Sequence, residues 1–194
     1  MGQVLLRKRP LEPETELAYN IASLPERPIL TDQQIQELLG IPKTISEKTP
    51  ANGYKEENNQ RRCDLELEAT LDDGVRFSVF IRQNSKFIEN FSIGLCYHTS
   101  LKSPGTVTLV RYNGAHGESS RHLDGHYAQS HIHRITEQEI ASGSSQPQER
   151  HREITDRYST FEQALRIFFD DFHVANYGDY FPELLQLGLL NGHQ

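Results

Sequence analysis

Apolar and polar residues alternate most regularly in the middle of the chain. In CDLELEATL, Cys63, Leu65, Leu67, Ala69 and Leu71 alternate with Asp64, Glu66, Glu68 and Thr70. That period of two predicts a half-buried strand. Asp72-Asp73-Gly74 supplies a turn, and VRFSVFIRQ returns with Val75, Phe77, Val79 and Ile81 on one face. A hairpin over 63–83 follows. NFSIGLCYHT repeats the pattern with Phe91, Ile93, Leu95 and Tyr97, and GTVTLVRYNG with Val107, Leu109 and the less apolar Arg111. Four successive strands with no helix between them predict an antiparallel meander, not a βαβ sheet. HYAQSHIHRIT reads as a fifth strand.

The period then changes. In STFEQALRIFFDDFHV, Phe161, Ala164, Leu165, Phe168 and Phe172 recur at helical spacing, and Ser159 with Glu162 reads as a capping box. Its Phe-rich stripe is the face expected to cover the sheet, against Leu65, Leu67, Phe77 or Val79. Asp179 is placed to cap a short final helix through Pro182, Leu184, Leu185 and Leu187. Near the other end, TDQQIQELLG predicts a short helix with Thr31 as N-cap, Gln34 three residues on, and Gly40 and Pro42 as the stop. Residues 1–30 carry Pro10, Pro13, Pro25 and Pro28 and read as an arm. Residues 41–60 are polar and read as a loop or linker, and ASGSSQPQER as a loop of disordered composition. The fold expected is α+β: a curved antiparallel meander sheet covered on one face by a C-terminal helix, with a short N-terminal helix. The organisation expected is an arm, helix and polar linker over 1–60 and one α+β domain over 61–194.

Length and composition fit that organisation. The chain has 194 residues, enough for one well-filled domain, and its 36% hydrophobic content leaves part of it outside the core. No run of eighteen apolar residues predicts a membrane span. MGQVLLRKRP is charged where a secretory signal needs an apolar stretch, and Leu6 stands where a myristoylation signal needs Ser or Thr, so a cytoplasmic protein is expected. Cys63 and Cys96 lie in strand patterns and read as reduced, buried thiols. The net charge of −7 argues against a general nucleic-acid coating protein. Between Lys102 and Arg134, however, four cations face two anions, so this segment is locally basic in an acidic chain.

That basic segment also holds five of the nine histidines: His116, His122, His126, His131 and His133. On a strand, His131 and His133 leave the same face. His116, His122, Asp124 and His126 would lie on a loop beside the strand pair carrying Arg111 and His131, where a rigid sheet can present chemistry. One reading leaves the histidines as exposed polar residues. A second is a metal site: His131, His133 and Glu137 form an HxHxxxE spacing that resembles the first cupin motif, and imidazoles suit zinc or another transition metal. The second cupin motif is absent, and the chain turns helical where a cupin needs strands.

The third reading, which needs no cofactor, is acid–base catalysis. A pair of imidazoles with an ordinary pKa near 6.5 can share proton transfer at neutral pH, while a cation holds a phosphate. Metal-independent RNA cleavage uses these groups. His131 and His133 are the expected pair, facing a wet cleft, with His116 or His122 as partner. Arg111 would be the phosphate holder, Tyr112 would stack a base or share a proton, and Asp124 would orient an imidazole. Losing His131 and His133 should then affect activity and not folding.

RYNGAHG, the closing SHIH and the downstream YSTFEQALRIFFDDF helix resemble a pattern in TumE-like toxins of bacterial toxin–antitoxin systems. The residues carrying the similarity are Arg111, Tyr112, Asn113 and His116, then His131 and His133, then Tyr158, Glu162, Ala164 and Leu165. It spans residues 75 to 173. The chain departs from the pattern in its N-terminal helix and arm and in the ESSRHLDGHYAQ insertion. The resemblance implies a toxin–antitoxin or phage-defence setting in a bacterium or phage. It leaves the activity open; on the acid–base reading RNA is the expected target, and in a toxin–antitoxin setting a small antitoxin or DNA-binding protein is the expected partner.

Overall fold

The computed structural model of the protein describes residues 30–46, 54–69, 75–100, 105–115 and 128–190. Along them run α1 (Asp32–Gly40), β1 (Lys43–Ile45), β2 (Lys55–Glu57), β3 (Gln60–Ala69), β4 (Arg76–Asn84), β5 (Phe91–His98), β6 (Thr106–Asn113), β7 (His131–Arg134), α2 (Glu137–Ala141), β8 (Glu153–Ile154), α3 (Phe161–Asp171), α4 (Tyr177–Tyr180) and α5 (Pro182–Leu190). The eight strands of the described residues form one open antiparallel sheet in the order β1-β3-β4-β5-β6-β7-β8, with β2 also pairing β3. The fold is therefore α+β with a meander sheet.

Alternation sets the two faces. β3 reads exposed and buried in turn, and the register pairs Cys63 with Ile81, Leu65 with Val79 and Leu67 with Phe77, so the apolar positions share one side. The predicted turn at 72–74 lies outside the described residues. Between Leu95 and Cys96 the β5–β6 register shifts, which sends both Leu109 and Val110 inward.

α3 covers that apolar face. Thr160 caps it by accepting from Gln163 N, one residue beyond the expected Ser159, whose own N–H and hydroxyl bond the Gln163 side chain. Phe161, Ala164, Leu165, Phe168 and Phe172 are buried as expected, with Phe169 beside them. The helix sits further along the sheet than expected, however. Phe168 and Phe172 meet Tyr112 edge-on and Phe161 meets Phe91, so the ring contacts fall on β5 and β6. Asp179 lies within α4, and α5 starts directly at Pro182.

The polar stretch read as a linker carries two strands, β1 and β2, both paired to β3. Leu30, Ile35, Leu39 and Ile45 enter the same hydrophobic core as the sheet and α3. Thr31 and Gln34 form the predicted capping box of α1. Lys43 is fully buried. Its ammonium donates to the carbonyls of Leu38, Leu39, Ile41 and Phe172 and lies 4.6 Å from the centre of the Phe77 ring. One side chain thus satisfies the open carbonyl ends of α1 and α3 together, and burial pushes its pKa down to about 8. The outer edge of β1 is occupied as well. Lys43 N donates to His173 O, Ala175 N donates to Lys43 O, and the Asn176 amide makes both backbone bonds of Ile45.

Cys63 and Cys96 are both free and buried, and burial pushes the Cys63 thiol up to about 11. Among the described residues no helix is long and apolar enough to cross a membrane.

Candidate functional site

The face of the sheet opposite α3 is polar, and one corner of it, on β6 and β7, brings Arg111 together with two histidines. Register places Arg111 beside His133 and Asn113 beside His131, while Tyr112 pairs with Ile132 on the core side. Tyr112 therefore cannot join Arg111 and the histidines, because adjacent residues of a strand leave opposite faces. Its ring stacks on Tyr158 inside the core, and its hydroxyl donates to Asp171, which Arg157 also grips through two hydrogen bonds. That burial sets Tyr112 on the core side of β6, apart from the face that carries Arg111 and the histidines.

His131 and His133 leave one face of β7, as expected, with ring centres 5.0 Å apart. Neither faces a wet cleft, since both are 0% exposed. The strand is covered there by the loop after α2, which sequence composition alone did not predict to be ordered. Glu139 organises that loop. Its buried carboxylate accepts from Thr136 N, Gln148 N and His151 Nδ1 at 2.9–3.1 Å. Burial alone would push Glu139 upward, but these hydrogen bonds together hold it below the usual carboxylate range.

The two imidazoles differ in how they are satisfied. His131 Nδ1 lies 2.9 Å from the Gln129 carbonyl, so it carries the proton, and its Nε2 accepts from the Asn113 amide at 3.2 Å. It is a buried histidine with both ring nitrogens hydrogen-bonded. His133 Nδ1 likewise donates to the His151 carbonyl at 3.0 Å, which leaves the Nε2 lone pair outward. Within the described residues that Nε2 has no hydrogen-bond partner, and neither does Arg111 Nε; both atoms are buried. Glu149 spans the pair. One carboxylate oxygen bonds an Arg111 terminal nitrogen, and the other stands 3.4 Å from His133 Nε2 without completing a hydrogen bond. Burial holds His133 below its ordinary pKa, Arg111 adds to this, and Glu149 opposes it. At neutral pH His133 is therefore an uncharged imidazole presenting a base nitrogen.

His151 completes the corner. Its ring is about half exposed, and the Glu139 bond to Nδ1 leaves Nε2 toward solvent. Sequence reasoning missed His151, Glu139 and Glu149. The Thr136–Glu139 spacing is a capping box and was the one legible signal among them. His116, His122 and Asp124 lie outside the described residues. Glu137 belongs to another contact: it bonds Asp32 at the start of α1 through a reciprocal pair of backbone-to-carboxylate bonds. The His131, His133, Glu137 metal set is thus not assembled, and among the described residues no cluster of three His, Cys, Asp or Glu side chains could hold a metal ion.

Two further features lie elsewhere. His98 bridges Ser78 at 2.9 Å and Thr106 at 3.1 Å on the same polar face, and burial lowers its pKa. A cleft of about 630 Å³ opens beyond the end of β7, lined by Glu89, Ser130, Ile154, Thr155 and Asp156 among others. Arg111, His133, Glu149 and His151 are not among its lining residues. Comparison with protein-family profiles, with curated proteins and with solved structures gives no match for this chain.

Proposed function

We propose that the Arg111–His133 corner handles the ribose-phosphate backbone of RNA. The protein would then be a metal-independent ribonuclease of a bacterial toxin–antitoxin or phage-defence system, acting in the cytoplasm beside a small antitoxin partner. One observation carries this reading: a buried donor, Arg111 Nε, and a buried acceptor, His133 Nε2, on residues that are cross-strand neighbours, have no hydrogen-bond partners among the described residues. Unpaired buried polar atoms cost stability, and a ligand that satisfies both would recover that cost. RNA offers both halves. A non-bridging phosphate oxygen accepts from Arg111 Nε, and the neighbouring 2′-hydroxyl donates to His133 Nε2.

The chemistry follows from those contacts. His133 Nε2 takes the 2′-hydroxyl proton as O2′ forms its bond to phosphorus. The P–O5′ bond breaks, and the leaving oxygen takes a proton from His151 Nε2. A 2′,3′-cyclic phosphate and a 5′-hydroxyl result. Arg111 stabilises the charge that builds on phosphorus oxygens, and Glu139 fixes the ring of His151. DNA lacks the hydroxyl and would leave Nε2 unsatisfied.

The test is induced expression in a bacterial host, with growth and total RNA followed. Wild type should slow growth and fragment RNA. His133→Gln and Arg111→Gln, shown to be folded by thermal melts, should lose activity by about 10²–10⁴-fold in the purified protein. Intact RNA and unimpaired growth with wild type would remove the nuclease reading.

A further inference from the structure

We infer that Glu149 is an internal stand-in for the oxyanion ligand of this corner, and that an external phosphate enters by exchanging with it. The inference rests on the reading of Arg111 and His133 as a phosphate-handling pair. Three observations carry it. The first is position: Glu149 is an exposed loop residue, 66% accessible as a side chain, yet its carboxylate reaches over a fully buried imidazole and an arginine side chain only 17% exposed. The second is incomplete fit. The carboxylate engages one Arg111 terminal nitrogen but leaves Arg111 Nε and His133 Nε2 unsatisfied. The third is sign. A carboxylate can only accept, so it cannot donate to the His133 lone pair 3.4 Å away.

A protonated phosphate corrects each mismatch. Two of its oxygens can accept from Arg111 Nε and a terminal nitrogen in the fork geometry that guanidinium offers. Its P–OH can donate to His133 Nε2. The loop is anchored by Glu139 through Gln148 N and His151 Nδ1, so displacement of the Glu149 carboxylate leaves that anchor intact. Occupation by Glu149 lowers the fraction of molecules open to an outside anion, and apparent affinity falls by that fraction.

The experiment is titration of inorganic phosphate into wild type, Glu149→Gln and Glu149→Ala. It is read by calorimetry and by the ring nitrogen shifts of His133, with melts confirming that each variant is folded. Glu149→Ala should bind phosphate about tenfold or more tightly than wild type, and Glu149→Gln should gain less, because its amide can accept from Arg111 and donate to His133 Nε2. The His133 Nε2 resonance should move on binding, and adding Arg111→Gln to either variant should abolish the gain. Equal affinities for wild type and both variants would overturn the inference. So would a gain that survives Arg111→Gln, or an Nε2 resonance unmoved by phosphate, as expected if a bound water fills the gap. Phosphate binding in the variants without RNA cleavage by wild type would support the exchange and remove the nuclease reading. RNA cleavage by wild type without any gain in the variants would do the reverse.

Discussion

Tyr112 and Arg111 are neighbours in one strand and opposite in circumstance. Tyr112 points into the core, where Phe168, Phe172 and Tyr158 surround the ring and Asp171 accepts the hydroxyl's hydrogen bond. Arg111 points to the polar face, where its Nε and the facing His133 Nε2 are buried without partners among the described residues. The core face combines burial with full satisfaction. The polar corner has the burial without it. The difference teaches where to look for function: a buried polar group that costs stability in the isolated protein is retained where something else completes it.

Breaking the core side should give the largest effect. Phe168→Ala removes a fully buried ring and should cost about 3–5 kcal/mol through lost contacts and the remaining cavity. An unchanged urea midpoint would mean that α3 does not hold the sheet. The two histidines sharpen the contrast at smaller scale. His131→Ala leaves the Asn113 amide and the Gln129 carbonyl unpaired and should cost about 1–3 kcal/mol. His133→Gln should cost less, because one of its nitrogens is already unpartnered. Equal losses in chemical denaturation would make the corner ordinary core.

The smallest effect is in pH. His133 and His98 both lie below their ordinary value of 6.5 when folded. As pH drops through that value the unfolded chain binds protons that the folded chain resists, so stability falls on going from pH 7 to pH 5. The carboxylates Glu139 and Asp171 are also held low, and their contribution is lost only at lower pH, beneath their ordinary values of 4.5 and 3.8. Melting curves of His133→Gln should therefore fall less than wild type between pH 7 and 5. An identical fall would show that His133 titrates alike in both states.

The hairpin, the meander and the covering helix were legible because each repeats a period over at least eight residues. β1 and β2 were not, since three-residue strands in polar text carry no period, and pairing with β3 alone defines them. Arg111 and His133 were read from composition as one site, and they are cross-strand neighbours. The burial of His133 was not readable, because it depends on a loop held by long-range contacts: Glu139 to Gln148 and His151, Thr108 N to Ser145 O, and Arg111 to Glu149. Tyr112 stands next to Arg111 in sequence, but the alternation that predicts the strand already puts the two on opposite faces.

The edge of β1 bears on how copies of this chain meet one another. An edge strand ordinarily offers unpaired amides and carbonyls to which a second molecule can add, the first step of edge-to-edge aggregation. Here the outward groups of Lys43 and Ile45 are taken by the chain at 173–176, two of them by the amide of Asn176 acting as a substitute strand. The opposite end of the sheet closes with β8, only two residues long. The sheet is finished along β1 by its own chain and kept short at β8, which leaves little template for a neighbouring copy at those two edges.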